Sequence, residues 1–269
     1  MTLRKSFPAP MRKLLAYWLT PAGNRLRVRP DDTFLVSYPR SGNTWLRFLL
    51  GEALFGQEVT FANMETLVPD MYRVSRAHLA RLPRPRLIKS HEPYDSRYPR
   101  VIYLLRDPRD VAISYYYWLL KFRRLENEDL DAFIQTFTAN RTLYGGWGAH
   151  VRSWRQNRQA VPLGCRFVRY EDLLAQPVKT LTDILHFLGH PLDAGRVQDV
   201  VARNTFERMQ AREQHDQQAP IFSETRQDIA FVRAGKARQW RDVFTPAQRS
   251  RFSTAFGDLM QQFGYATDD

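Results

Sequence analysis

The segment Phe34-Leu-Val-Ser-Tyr-Pro-Arg-Ser-Gly-Asn-Thr-Trp-Leu-Arg-Phe-Leu-Leu50 constrains this chain more than any other. It reads as a buried strand, a tight polar loop and an amphipathic helix, in that order. The loop, Tyr38–Thr44, holds a cation (Arg40), hydroxyls (Ser41 and Thr44), Gly42 and Asn43 where the helix begins. Backbone N–H groups left open at a helix start attract phosphate-like anions. The nucleoside-triphosphate loop needs G-x-x-x-x-G-K-S/T. Here there is one glycine, no lysine, and Pro39 before the cation. The spacing therefore predicts an anion cradle of a different kind.

Further apolar runs follow at Arg86–Lys89, Val101–Leu105 and Arg166–Arg169, each expected to form a strand. The first helix is expected over Asn43–Leu54, with others from Pro108 to Leu120 and from Tyr170 onward. Short apolar strands alternating with helices predict an α/β fold: a central, mainly parallel sheet flanked by helices on both faces. The last third reads as helical over Pro177–Leu188, Ala194–Met209 and Pro246–Phe263. The polar stretch 210–241 between the last two is long for a plain connection and is expected to be a lid or binding segment. With no repeat and no linker, 1–269 is expected to be a single domain, with 1–30 a basic lead-in.

The net charge of +12 favours polyanions, phosphate-bearing ligands or anionic membranes without choosing among them. Arginine supplies 34 of the 40 cations, so each of the six lysines, Lys89 among them, is a less casual choice. The lone cysteine, Cys165, allows no intrachain disulfide and reads as a buried filler suited to a reducing cytoplasm. No run reaches the roughly 18–20 apolar residues of a membrane span. Met11–Leu19, basic then briefly apolar, reads as a surface or docking helix, with weak peripheral membrane contact as the lesser reading.

In open parallel sheets, ligands sit beyond the carboxyl ends of the strands. Three polar clusters fall there: Tyr38–Thr44, Lys89-Ser-His91 and Arg106-Asp-Pro-Arg-Asp110. Together they place Arg40, Lys89 and Arg106 around one crevice able to hold a multiply charged nucleotide. His91 is the candidate base, because an imidazole titrates near neutral pH. No metal site is expected. His186 and His190 straddle Gly189 at a helix end, and Asp107 and Asp110 read as helix caps. Tyr115-Tyr-Tyr-Trp118 divides between core and acceptor pocket.

These residues carry a resemblance to the cytosolic-type sulfotransferases, in a bacterial-like form. Tyr38-Pro-Arg-Ser-Gly-Asn-Thr-Trp45 resembles the loop that holds the 5′-phosphosulfate of 3′-phosphoadenosine 5′-phosphosulfate (PAPS). Lys89-Ser-His91 resembles the catalytic Lys-x-His segment, and Arg106 through Ser114 the 3′-phosphate segment. Tyr170-Glu-Asp-Leu173 resembles the adenine-side segment, and Asn204-Thr-Phe206 the start of one that packs on the nucleotide. Phe231-Val-Arg-Ala-Gly235 is similar to the last phosphate loop, with Arg233 and Gly235 in place. The resemblance implies a P-loop-like fold, adenine stacking by Trp45, PAPS as co-substrate with PAP as product, and no required metal. It implies catalysis by His91 as general base with Lys89 and Arg40. Two positions depart from the pattern. Arg40 stands where many members have lysine, and Ala234 where lysine is usual, with Lys236 nearby as a substitute. The implied acceptor is a hydroxyl or amine of a small molecule, sugar or lipid, with no specific nucleic acid. Homo-oligomers are compatible with this reading. A nucleotide kinase or NTPase, and a non-catalytic nucleotide-binding protein, are the alternatives.

Overall fold

The computed structural model describes Gly23 and residues 26–125, 128–222 and 224–267. The helix expected over Met11–Leu19 lies outside the described residues. The chain runs β1 (Thr33–Ser37), α1 (Asn43–Phe55), α2 (Met64–Leu67), α3 (Arg76–Arg81), β2 (Leu87–Ser90), β3 (Arg100–Leu105) and α4 (Pro108–Lys121). It continues through α5 (Leu130–Thr138), α6 (Trp147–Asn157), β4 (Cys165–Arg169), α7 (Tyr170–Ala175), α8 (Pro177–Leu188) and α9 (Ala194–Arg203). The last helices are α10 (Phe206–His215), α11 (Trp240–Val243) and α12 (Pro246–Gln262).

The four strands form one parallel sheet in the order β2-β1-β3-β4. Alternate side chains leave a strand on opposite faces. Phe34, Val36, Val101 and Tyr103 accordingly pack under Val111, Phe133, Trp147 and Phe252. Leu35, Ile102, Leu104 and Val168 pack under Leu46, Leu50, Ile184 and Val197 on the other face. With both faces covered, β1 is buried at every position, which explains the unbroken apolar run Phe34–Val36 at its centre. The first polar residues after β1, β2 and β3 emerge together at the carboxyl edge of the sheet, which is how three distant motifs come to share one crevice.

An ion pair ties the approach to β1 to the approach to β2. Arg86 donates from Nε and Nη2 to the two oxygens of Asp32 at 2.7 and 2.5 Å, and from Nη1 to the Leu79 carbonyl at 2.9 Å. Both side chains are almost fully buried. Arg86→Met leaves the Asp32 carboxylate buried without its partner, which costs about 3–5 kcal/mol in such pairs. Urea unfolding is expected to show that loss. A midpoint and slope equal to those of the parent would mean that the pair adds nothing.

Two expectations need correction. Ala194–Met209 is two helices: the chain breaks at Asn204, and the Thr205 side chain caps α10 by accepting the Arg208 N–H. Helix α10 runs on to His215, so the irregular segment is shorter than 210–241. Helices α5 and α6, absent from the sequence reading, have legible signals. Asp129 caps α5 ahead of buried Phe133, Ile134 and Phe137. Trp147, His150, Val151 and Trp154 follow helical spacing along the buried face of α6.

Candidate active site

Between β1 and α1 the backbone turns through two left-handed residues, Arg40 (φ 70°) and Gly42 (φ 100°). Gly42 is required twice over. Its φ disfavours any side chain, and a Cβ there would lie 2.4 Å from the Tyr170 ring. No side chain caps α1 and no acidic residue occupies its first turn. The opening N–H groups of that helix are therefore left to an anion. The Ser41 hydroxyl instead turns inward and donates to the Tyr38 carbonyl at 2.8 Å. Asn43 Nδ2 donates to Ser37 Oγ at 3.1 Å. Ser41 thus braces the loop, and Asn43 ties the helix start to the end of β1.

A cavity of about 440 Å³ opens at this point, and Arg40, Lys89, Arg106 and Arg233 all line it. Arg40 Nε donates to Ser114 Oγ at 3.2 Å, and its guanidinium lies 4.9 Å from the centre of the Phe231 ring. Burial first, then Arg106 and Arg233, lowers the Arg40 pKa to about 9, so it remains cationic at neutral pH. Arg106 donates to the carbonyls of Arg40 (3.3 Å) and Lys236 (3.1 Å) and stacks on Tyr170 at 4.3 Å. Its buried Nε has no hydrogen-bond partner. Arg233 donates to Gln239 Oε1 at 2.5 Å and lies over the Tyr117 ring. Cations this close repel one another, and a bound polyanion relieves that repulsion. Lys236, expected to stand in for the missing lysine at Ala234, is exposed and outside the cavity lining; only its carbonyl reaches Arg106.

The Lys89-Ser-His91 segment supplies an imidazole and a further cation. His91 Nδ1 lies 2.6 Å from the Ser37 carbonyl. A carbonyl only accepts, so Nδ1 carries the proton and Nε2 holds the lone pair. Burial, and then the Lys89 charge, hold the His91 pKa well below the ordinary imidazole range. Behind it, buried His150 donates from Nε2 to the His91 carbonyl at 3.0 Å, while its Nδ1 accepts from the Tyr103 hydroxyl at 2.8 Å. Lys89 Nζ lies 2.6 Å from Asp70 Oδ2, a partner the sequence reading missed.

Trp45, Tyr170 and Phe206 line the same cavity, with Trp45 edge-on to Tyr170 at 6.0 Å. Asn204 does not line it. Its carbonyl accepts from Trp45 Nε1 at 2.8 Å, so Asn204 holds the indole from behind. Thr44, Ser114 and Gly235 do line the cavity, and a Cβ at Gly235 would lie 2.1 Å from the Phe206 ring. The tyrosine run on α4 divides. Tyr116 faces the core, while Tyr117 and Trp118 join Phe122, Tyr144 and Phe231 on the remaining wall. The Tyr144 ring sits 5.6 Å from that of His91.

Elsewhere, Asp107 caps α4 by accepting the Arg109 N–H, and Asp110 accepts the N–H groups of Arg238 and Trp240. Gly189 (φ 75°) ends α8 between His186 and His190. Among the described residues no three His, Cys, Asp or Glu side chains gather as a metal site. No helix among them is long and apolar enough to cross a membrane. Burial pushes the Cys165 thiol up to about 12, which leaves it unreactive.

A parallel sheet with an uncapped helix start, a ring of cations and a neutral histidine at its carboxyl edge defines a P-loop-like group-transfer fold. The family profile described as the sulfotransferase domain matches residues 30–264, and the chain belongs to that family. Mouse sulfotransferase 2B1 is 28% identical over 286 residues, covering 98% of this chain and 82% of its own. Rabbit amine sulfotransferase is 28% identical over 251 residues, with 88% and 83% covered. The crystal structure of mouse sulfotransferase SULT7A1 complexed with PAP superposes with a TM-score of 0.71 at 26% identity, covering 88% and 86% of the two chains. Retinol dehydratase in complex with androsterone and the inactive cofactor PAP shares the fold, with a TM-score of 0.77 at 21% identity and 92% and 86% covered.

Proposed function

We propose that this sulfotransferase moves the sulfuryl group of PAPS to a hydroxyl or amine of a small, largely apolar acceptor, with His91 as general base. The observation that carries this reading is one cavity lined by Arg40, Lys89, Arg106, Arg233 and a neutral His91, beside an uncapped helix start. The residues fit the nucleotide. Arg106 keeps a buried N–H without a partner, and Gly42 and Gly235 keep the cradle clear of side chains. Arg106, Ser114 and Arg233, with the Gly235 backbone, would hold the 3′-phosphate. The α1 N-terminus, Arg40, Thr44 and Lys89 would hold the phosphosulfate end, and Trp45, Tyr170 and Phe206 the base. Bound PAPS supplies an activated sulfuryl group and PAP as the leaving nucleotide.

The protein's own residues do the rest. The Ser37 carbonyl keeps the His91 proton on Nδ1, so Nε2 can accept the proton of the acceptor's hydroxyl. Lys89 and Arg40 supply fixed positive charge where negative charge develops. The wall of Tyr117, Trp118, Phe122, Tyr144 and Phe231 supports an apolar or aromatic acceptor body. An amine acceptor is kept because one relative is an amine sulfotransferase.

Purified full-length protein incubated with labelled PAPS and 2-naphthol, 2-phenylethanol, 2-phenylethylamine or glucose tests this. Labelled product is expected from at least one of the first three, with ATP left unconsumed in a parallel reaction. ATP turnover without PAPS turnover would assign the cavity to a kinase or NTPase. Transfer to glucose alone would refute the apolar acceptor.

A further inference from the structure

The segment just before Tyr72 adds to the edge of the sheet beside β2. Lys89 N–H donates to the Pro69 carbonyl at 2.8 Å, and Met71 N–H donates to the Lys89 carbonyl at 3.2 Å. Parallel pairing sets Asp70 directly against Lys89. The Asp70 carboxylate is held independently of the lysine. Its own N–H donates to Glu65 Oε2 at 2.7 Å, and its Oδ1 accepts the Tyr72 N–H at 3.0 Å. Its Oδ2 meets Lys89 Nζ at 2.6 Å, and Asp70, Lys89 and His91 all line the cavity.

Lys89 needs such a partner. It is 8% exposed, and burial lowers its pKa. The groups that face it are charged Asp70 and Arg73 from the edge segment, charged Arg47 from α1, and neutral His91 beyond its own strand. Arg47 is engaged with the Val68 carbonyl at 2.8 Å and with Glu65 at 3.1 Å. Arg73 Nε stands 3.9 Å from the same Asp70 oxygen. Asp70 is thus the only carboxylate lining the cavity among the described residues. Burial favours its neutral form, but Lys89, Arg47 and Arg73 outweigh that and hold it ionised.

We propose that Asp70 is a positioning residue for sulfuryl transfer: its pre-set carboxylate aims the Lys89 ammonium and keeps it protonated at neutral pH. This rests on the reading of Lys89 as a residue that acts on the transferring group. Removing the Asp70 charge leaves Lys89 buried among cations, so it gives up its proton at lower pH.

The test is the pH profile of kcat with PAPS and 2-phenylethanol, whose hydroxyl does not ionise in the range used. The parent is expected to keep its turnover at neutral pH and to lose it from about pH 9 upward, where Arg40 also gives up its proton. In D70N that alkaline limb is expected to move down by about one to three units, the range for loss of an opposite charge at this distance. Turnover should recover as the pH is lowered, with PAP affinity and thermal midpoint near those of the parent. D70E, which keeps the charge, should keep the parent's alkaline limb. A D70N profile that superposes on the parent, while K89Q is impaired, overturns the role of Asp70. A K89Q variant with full turnover overturns the underlying reading of Lys89 instead. If D70N does not fold, D70N/K89Q is compared with K89Q. Equal turnover supports the proposal, and a further loss of about tenfold overturns it.

Discussion

His91→Ala is expected to lower sulfuryl transfer by about 10²–10⁴-fold, the usual share of a positioned general base, while PAP still binds. The separation follows from where the ring stands. Its Nδ1–H is committed to the Ser37 carbonyl, and the ring lines the cavity 5.6 Å from that of Tyr144. The groups proposed to hold the phosphates, Arg106, Arg233 and the start of α1, lie on other segments of the chain. The pH dependence gives a second readout. Because burial and Lys89 depress the His91 pKa, the base stays neutral through the ordinary imidazole range. Turnover should therefore be nearly flat from about pH 8 down to about pH 6, where an unperturbed imidazole would already be protonated.

The same depression carries a stability cost with a definite sign. A histidine whose folded pKa lies below its unfolded value stabilises the fold above the unfolded pKa, and that contribution is lost as the pH falls towards the folded one. For His91 and His150, the latter lowered to about 4 by burial, the loss begins near pH 6.5. Undiminished turnover in H91A, measured with PAP affinity intact, would remove His91 from the chemistry and leave Lys89 and Arg40 to be explained alone.

What could be read in the sequence was what is local. The run Phe34–Val36 is apolar at every position because both faces of β1 are covered, and burial shows this directly. The turn at Gly42 and the cap at Asp107 announce themselves by residue type, so the polar clusters at three strand ends were visible before any contact was known. Asp70 was not, because it meets Lys89 only through parallel pairing of a segment 19 residues away. Nor was the role of His150 legible, because its bond to the His91 carbonyl spans 59 residues. Asn204 was placed on the nucleotide by resemblance alone, and the helix around it was read as continuous. The break there turns its carbonyl to Trp45 and its Oδ1 to Arg212 at 2.6 Å. Lys236 failed as a substitute for a lysine at position 234 because the loop spends its carbonyl, and not its side chain, on Arg106.

Arg40→Ala is the other large effect expected, a fall in kcat of about 10²–10³-fold, comparable to removal of one preorganised charge-stabilising donor. Arg40 stands between two groups of residues. Its side chain reaches Ser114 and feels Arg106 and Arg233, yet its loop opens the helix whose first N–H groups no side chain caps. PAP separates the two roles, because PAP lacks the sulfuryl group. If Arg40 acts on the transferring group, R40A should bind PAP almost as the parent does and lose turnover. If it grips a phosphate that PAP keeps, at the 3′ or the 5′ position, PAP affinity should fall in step with kcat/KM. The backbone does not confuse the comparison. Arg106 bonds the carbonyl of Arg40, a contact that any residue at this position retains provided the left-handed turn is kept. R40K then resolves charge from shape. A lysine keeps the charge but has neither the planar fork nor the Nε donor now spent on Ser114. R40K is expected to recover most of the turnover lost in R40A if charge alone matters at the transferring group. An R40K as slow as R40A, with PAP affinity unchanged, would mean that the fork itself, fixed by Ser114, is what the reaction requires.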